Sequence, residues 1–172
     1  MANKSLPEYW LRGPLPNLTP VLQPVAHALL QARDEVTDLL QDFNDALLWE
    51  KPAGVASVGF HLQHLAGVLD RLFTYARGEA LSPGQLQYLR SEGTNKGATT
   101  QQLVAAFAKQ VETALLQLQQ ANEATLLETR NVGRAGLPST TLGLYVHAAE
   151  HTMRHTGQVL VTARILQYTQ NT

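Results

Sequence analysis

The chain has no cysteine, which excludes disulfides, thiolate nucleophiles and cysteine-ligated zinc together. Aromatic residues are scarce, at 6%, so the core must be built from aliphatic side chains, and the Leu, Ala and Gln runs favour helix over strand. Neither sign of charge prevails: 13 Lys and Arg stand against 14 Asp and Glu, for a formal net charge of −1. Without a densely basic segment the attraction that drives nucleic-acid binding is missing, and neither DNA nor an anionic membrane is an expected partner. No uncharged run approaches the roughly 20 apolar residues of a membrane span, and the opening "MANKSLPEYWLRGPLP" has no apolar signal-like core. A cytoplasmic protein is the expectation.

What is present reads as one all-α domain over residues 1–172, with residues 1–16, which carry three prolines, as an extended N-terminal arm. Val21, Val25, Leu29, Val36, Leu39, Leu40 and Leu47 recur near helical spacing. Helix one is therefore expected to start between 20 and 23 and to end near Glu50, before Lys51-Pro52-Ala53-Gly54. Helix two is capped by Ser57 and runs to about Arg77, with Gly78 as its stop. About twenty residues follow with at most a short helix after Ser82-Pro83. Helix three opens on Thr99 and Gln102 at capping-box spacing and carries an apolar stripe at 103, 107, 111, 115 and 118. "EATLLETRNVGRAGLP" reads as a loop, and Ser139 or Thr140 caps helix four, which runs to about Gln167. Four amphipathic helices with a long crossover between the second and third make a four-helix bundle.

Five of the six histidines fall in two helical segments. "VHAAEHTMRHTGQVL" sets His147, His151 and His155 four residues apart. Each step drifts about 40° around the axis, so either adjacent pair shares a face and can reach one ion. Two ligands do not make a catalytic site, which takes three and leaves a position open. "FHLQHLAG" on helix two offers His61 and His64 for the third. Imidazole-only ligation suits zinc, nickel or iron. The lone His27 reads as packing. Tyr75 and Tyr145 read as core, Glu150 and Arg154 as solvated neighbours, and Asp70 as a weak candidate for orienting a ligand. Gly67 and Gly157 would let helices two and four approach closely, and the sequence offers no evident carboxylate beside the histidines.

The segments "SVGFHLQHLAGVLDRLFTYARGE" and "LGLYVHAAEHTMRHTGQVL" resemble the DinB superfamily of DinB/YfiT-like metalloenzymes, and the likeness extends to "PEYWLRGPLPNLTPVLQPVAHALLQAR". The resemblance implies a four-helix bundle and a metal held by one helix-two histidine in an "HL" context and two in an H-x-x-x-H-x-G-Q motif. These fall on His64 in "QHLAG" and on His151 and His155 in "EHTMRHTGQ". His61, His147 and Gln158 are left as residues that support the ligands, carry protons to a water on the metal, or merely pack. With an open position, such an ion lowers the pKa of bound water, activates a thiol or polarises a carbonyl. The resemblance thus implies a zinc or nickel enzyme, with iron as an alternative, acting on a small molecule by hydrolysis or by S-transfer with a low-molecular-weight thiol as cosubstrate. It also implies a homodimer. A non-catalytic metal- or ligand-binding dimeric module is the alternative.

Overall fold

The computed structural model describes residues 6–170. Among these the chain is mostly helical, with five α-helices and one two-stranded sheet: α1 Gln23–Leu39, α2 Val58–Ala76, α3 Pro83–Ser91, α4 Thr100–Gln119, β1 Thr129–Val132, β2 Leu137–Thr140 and α5 Thr141–Gln170. The caps predicted at Ser57 and Thr99 form. Ser57 Oγ accepts from Phe60 N at the start of α2. Thr99 and Gln102 close a reciprocal capping box at α4, and Ser82 with Gln85 closes another at α3. Pro24 lies in the first turn of α1, where its missing N–H has no partner to lose.

Two expectations are corrected. Helix one stops at Leu39, well short of Glu50. Beyond Leu40, the Asn44 side chain accepts from Ala46 N and draws residues 45–47 into a 3₁₀ turn, and Asp45 Oδ1 accepts from Thr100 N at 2.7 Å. The apolar spacing that continues through Leu47 and Leu48 is thus core contributed by a tight turn rather than by helix. The second correction is the expected loop after helix three, which contains an antiparallel hairpin with Thr129 opposite Thr140 and Val132 opposite Leu137. Gly133 and Gly136 take positive φ at its tip, where glycine alone pays no steric cost. Arg130 Nε donates to Ala76 O at 2.9 Å, fixing the hairpin to the last turn of α2.

The long helices pack pairwise, α2 against α4 and α5, and α1 against the same two. One aliphatic core joins them, with Leu29, Val36, Leu62, Leu65, Leu69, Phe73, Phe107, Val111 and Val159 all buried. Within the expected arm, residues 1–5 lie outside the described residues; Tyr9 binds α1, its hydroxyl donating to Asp34 Oδ2 at 2.8 Å. No helix among the described residues is long and apolar enough to cross a membrane.

Candidate metal centre

The α2–α5 seam sets the site. Leu62, Leu65 and Leu69 of α2 face the core, and the helical period places His61 and His64 at the edge of that stripe, against α5. Opposite them stand His151 and His155. The ring centroids of His64, His151 and His155 are 4.5 to 5.2 Å apart. One ring nitrogen from each lies within 4.8 Å of those of the other two. His64 Nε2 is 2.9 Å from His151 Nε2, and His61 Nδ1 is 2.9 Å from His155 Nδ1.

Glu92, the residue that ends α3, completes the arrangement and was invisible to sequence reasoning. Its carboxylate is buried at 5% exposure, and one oxygen accepts from His64 Nδ1 at 2.7 Å while the other accepts from Arg71 Nη1 at 2.6 Å. The segment that carries it is bound to α2: Gly93 N donates to Gln63 Oε1 at 2.7 Å, and Gln63 Nε2 donates to Thr94 O at 3.1 Å. Phe60 stacks on His64 with centroids 5.5 Å apart and planes 9° from parallel. No spacing rule links a single Glu 28 residues downstream to His64; only the docking of α3 on α2 reveals it.

The hydrogen bonding leads to a definite conflict. The tautomer with Nδ1–H donating to Glu92 has a bare lone pair at His64 Nε2. His151 Nε2 must then be the donor across the 2.9 Å contact, which leaves its own Nδ1 a bare acceptor, and that atom is buried with no partner. Such an orphan costs roughly 1–3 kcal/mol. A cation among the rings fits this set because it takes an inward lone pair from each of the three rings, while His151 Nδ1 keeps the proton and stays without a partner. Nitrogen ligands at about 2.0–2.1 Å around a tetrahedral ion stand about 3.3 Å apart, so His64 and His151 need spread only slightly. Burial, followed by the neighbouring His64 charge, pushes both His61 and His155 down to about 4. Burial and the same neighbour also lower His151. At neutral pH these rings therefore keep the lone pairs that a metal needs.

The other candidates fall into place around this group. His61 is buried and touches His155 directly. His147 is 52% exposed, its ring 5.3 Å from that of His151 and its Nδ1 3.7 Å from Glu150 Oε2. Glu150 and Arg154 form an exposed ion pair. Gln158 is exposed, on the wall of an adjoining cleft. Asp70 does not orient a ligand; it accepts from Gln85 Nε2 at 2.9 Å. Tyr145 is buried core, 5.0 Å from Phe73. The two glycines do not bring α2 and α5 together as expected. Gly67 faces α3, where a methyl would collide with Glu92 Oε1 and lie 2.7 Å from Arg71 Nη1 and Tyr88 Cε1, whereas a methyl at Gly157 would meet nothing within 4 Å. The expected lack of a neighbouring carboxylate is likewise overturned by Glu92.

No curated protein matches the chain. The DinB superfamily model, however, matches residues 28–159, a span that holds all three clustered histidines and Glu92. With a family match across most of the sequence and a three-histidine cluster compatible with a metal ion at its centre, the chain belongs to the DinB superfamily.

Proposed function

We propose that the chain is a divalent-metal-dependent enzyme of the DinB/YfiT-like four-helix-bundle type. His64, His151 and His155 would hold zinc or nickel, with iron as the alternative, in support of hydrolysis or thiol S-transfer on a small molecule. The observation that carries the reading is the convergence of three half-buried imidazoles, with a buried carboxylate on the outer nitrogen of one of them. When bound, such an ion supplies Lewis-acid activation of an oxygen or sulfur.

The chain's own residues do the rest. Glu92 fixes the His64 tautomer with Nε2 turned inward, and Arg71 holds Glu92 in place. His61 accepts from His155 Nδ1–H, which orients that ring and leaves its Nε2 as the ligand atom. Three ligands leave a fourth position for a small molecule. Glu92 is already engaged twice, so it positions a ligand and does not act as the general base.

Homodimerisation and a cytoplasmic setting belong to the same proposal; light scattering over a range of protein concentrations tests the first. Elemental analysis of untagged protein purified without chelators tests the site. Near-stoichiometric zinc or nickel, lost in His64→Ala and His151→Ala, is expected and justifies screening hydrolysis and thiol transfer with that ion. Protein that stays metal-free after reconstitution overturns the reading in favour of a metal-independent binding module.

A further inference from the structure

A cleft of about 550 Å³ lies beside the histidines, between the 52–56 turn and the C-terminal half of α5. Pro52, Val55, Val161 and Ile165 give it apolar walls, Gly157 leaves its floor open, and His61 stands at its boundary with the cluster. Its volume is that of a small-molecule site, typically about 300–1,000 Å³. Its one charged lining residue, Arg154, is paired with Glu150 through both Nε and Nη2. No uncompensated charge therefore faces the cleft, and an anionic ligand would meet no free cation there. His61 belongs to both regions: it lines the cleft, and its Nδ1 is 2.9 Å from His155 Nδ1. With Nδ1 accepting from His155, its remaining nitrogen carries the proton, so the boundary offers one neutral hydrogen-bond donor.

We infer that this cleft binds the uncharged, apolar body of the substrate, an aryl or branched alkyl group, and directs a single polar reacting end past His61 toward the histidine cluster. The inference deepens the proposed function and rests on it for the reacting end; the apolar body binds without the metal. A phosphate or carboxylate in the cleft would face the apolar Val55, Val161 and Ile165 and an arginine already paired with Glu150, so the lining favours an uncharged body.

The test uses two probes with one ring skeleton, neutral N-phenyl-1-naphthylamine and its anionic counterpart 8-anilinonaphthalene-1-sulfonate, titrated by fluorescence against the full chain, its Gly157→Leu and Ile165→Asp variants, and His64→Ala. The neutral probe is expected to bind saturably at one per chain, and at least about tenfold more tightly than the anionic one. Gly157→Leu fills the cleft from a helical position with free space around it, and Ile165→Asp places a charge in its wall. Each is expected to weaken the neutral probe at least about tenfold while circular dichroism stays unchanged. His64→Ala is expected to retain the probe after losing the metal. Equal or tighter binding of the anionic probe overturns the uncharged class. Absence of neutral-probe binding, insensitivity to both cleft variants, or loss of the probe together with the metal in His64→Ala overturns the cleft. Weakening of the probe as the chain associates at higher concentration does so as well, in favour of a second copy as occupant. A wild-type chain that binds the neutral probe yet takes up no metal overturns the metal reading alone.

Discussion

The α2–α5 seam buries polar groups at both ends, and the two ends treat them differently. Near the C-terminus of α2, Gln117 Nε2 donates to Phe73 O at 3.0 Å and to Tyr145 Oη at 3.2 Å, and Arg130 Nε donates to Ala76 O at 2.9 Å. These groups are paired with protein partners, while Thr141 Oγ1 at the same end is buried without one. Near the N-terminus of α2, the histidines set nitrogen against nitrogen at 2.9 Å in two places, and His151 Nδ1 is buried with no partner. What sets the histidine end apart is the convergence of three imidazoles, an arrangement compatible with a metal ion.

Substitutions at the two ends should therefore separate metal binding from stability. The largest effect is expected from His64→Ala or His151→Ala: metal content falls from near one per chain to below about a tenth, because two imidazoles do not complete a catalytic-type site. Tyr145→Phe at the other end should leave metal content unchanged and cost about 1 kcal/mol in urea unfolding, the worth of one hydrogen bond. Glu92→Gln comes next, with metal affinity about 10- to 100-fold weaker by competition with a chelating dye, since the outer partner of His64 is lost as an anion. Its stability also falls, because buried Arg71 then lacks its counter-charge.

Gly67→Ala is expected to destabilise by about 1–3 kcal/mol, since the added methyl meets Glu92, Arg71 and Tyr88, and to lower metal affinity through the displaced carboxylate. Gly157→Ala, in the same family segment but with free space around it, should stabilise by about 0.5–1 kcal/mol through helix propensity, with metal affinity unaltered. The smallest effect is expected from His147→Ala, whose exposed ring adjoins His151 without holding the shared nitrogens; metal titration should place it within about threefold of wild type.

Local signals were legible in the sequence, and contacts across the fold were not. Ser57, Thr99 with Gln102, and Gly78 mark helix ends through interactions a few residues long, and they stand where the sequence puts them. The i, i+4 spacing of His151 and His155 likewise survives folding unchanged. Periodicity misled between Leu40 and Glu50, because buried leucines in a 3₁₀ turn imitate the spacing of a continuing helix while Asn44 and Asp45 divert the backbone. The hairpin was missed because strands of four residues carry too little alternation to stand out. Glu92 was hidden for a different reason: its role depends on how α3 docks, and nothing near it in sequence hints at His64. The sequence motif thus located the helix faces whose histidines cluster, and the fold supplied the carboxylate that binds one of them.

The central claim is that three imidazoles, from His64, His151 and His155, share one ion with a position left open. X-ray absorption fine structure at the metal edge of the zinc- or nickel-loaded chain tests it most directly. Three imidazole nitrogens plus one light, exchangeable ligand are predicted for the wild type, with the imidazole count falling by one in any His64→Ala protein that retains residual metal. A spectrum with fewer than three imidazoles, or one unchanged by His64→Ala, would contradict the account.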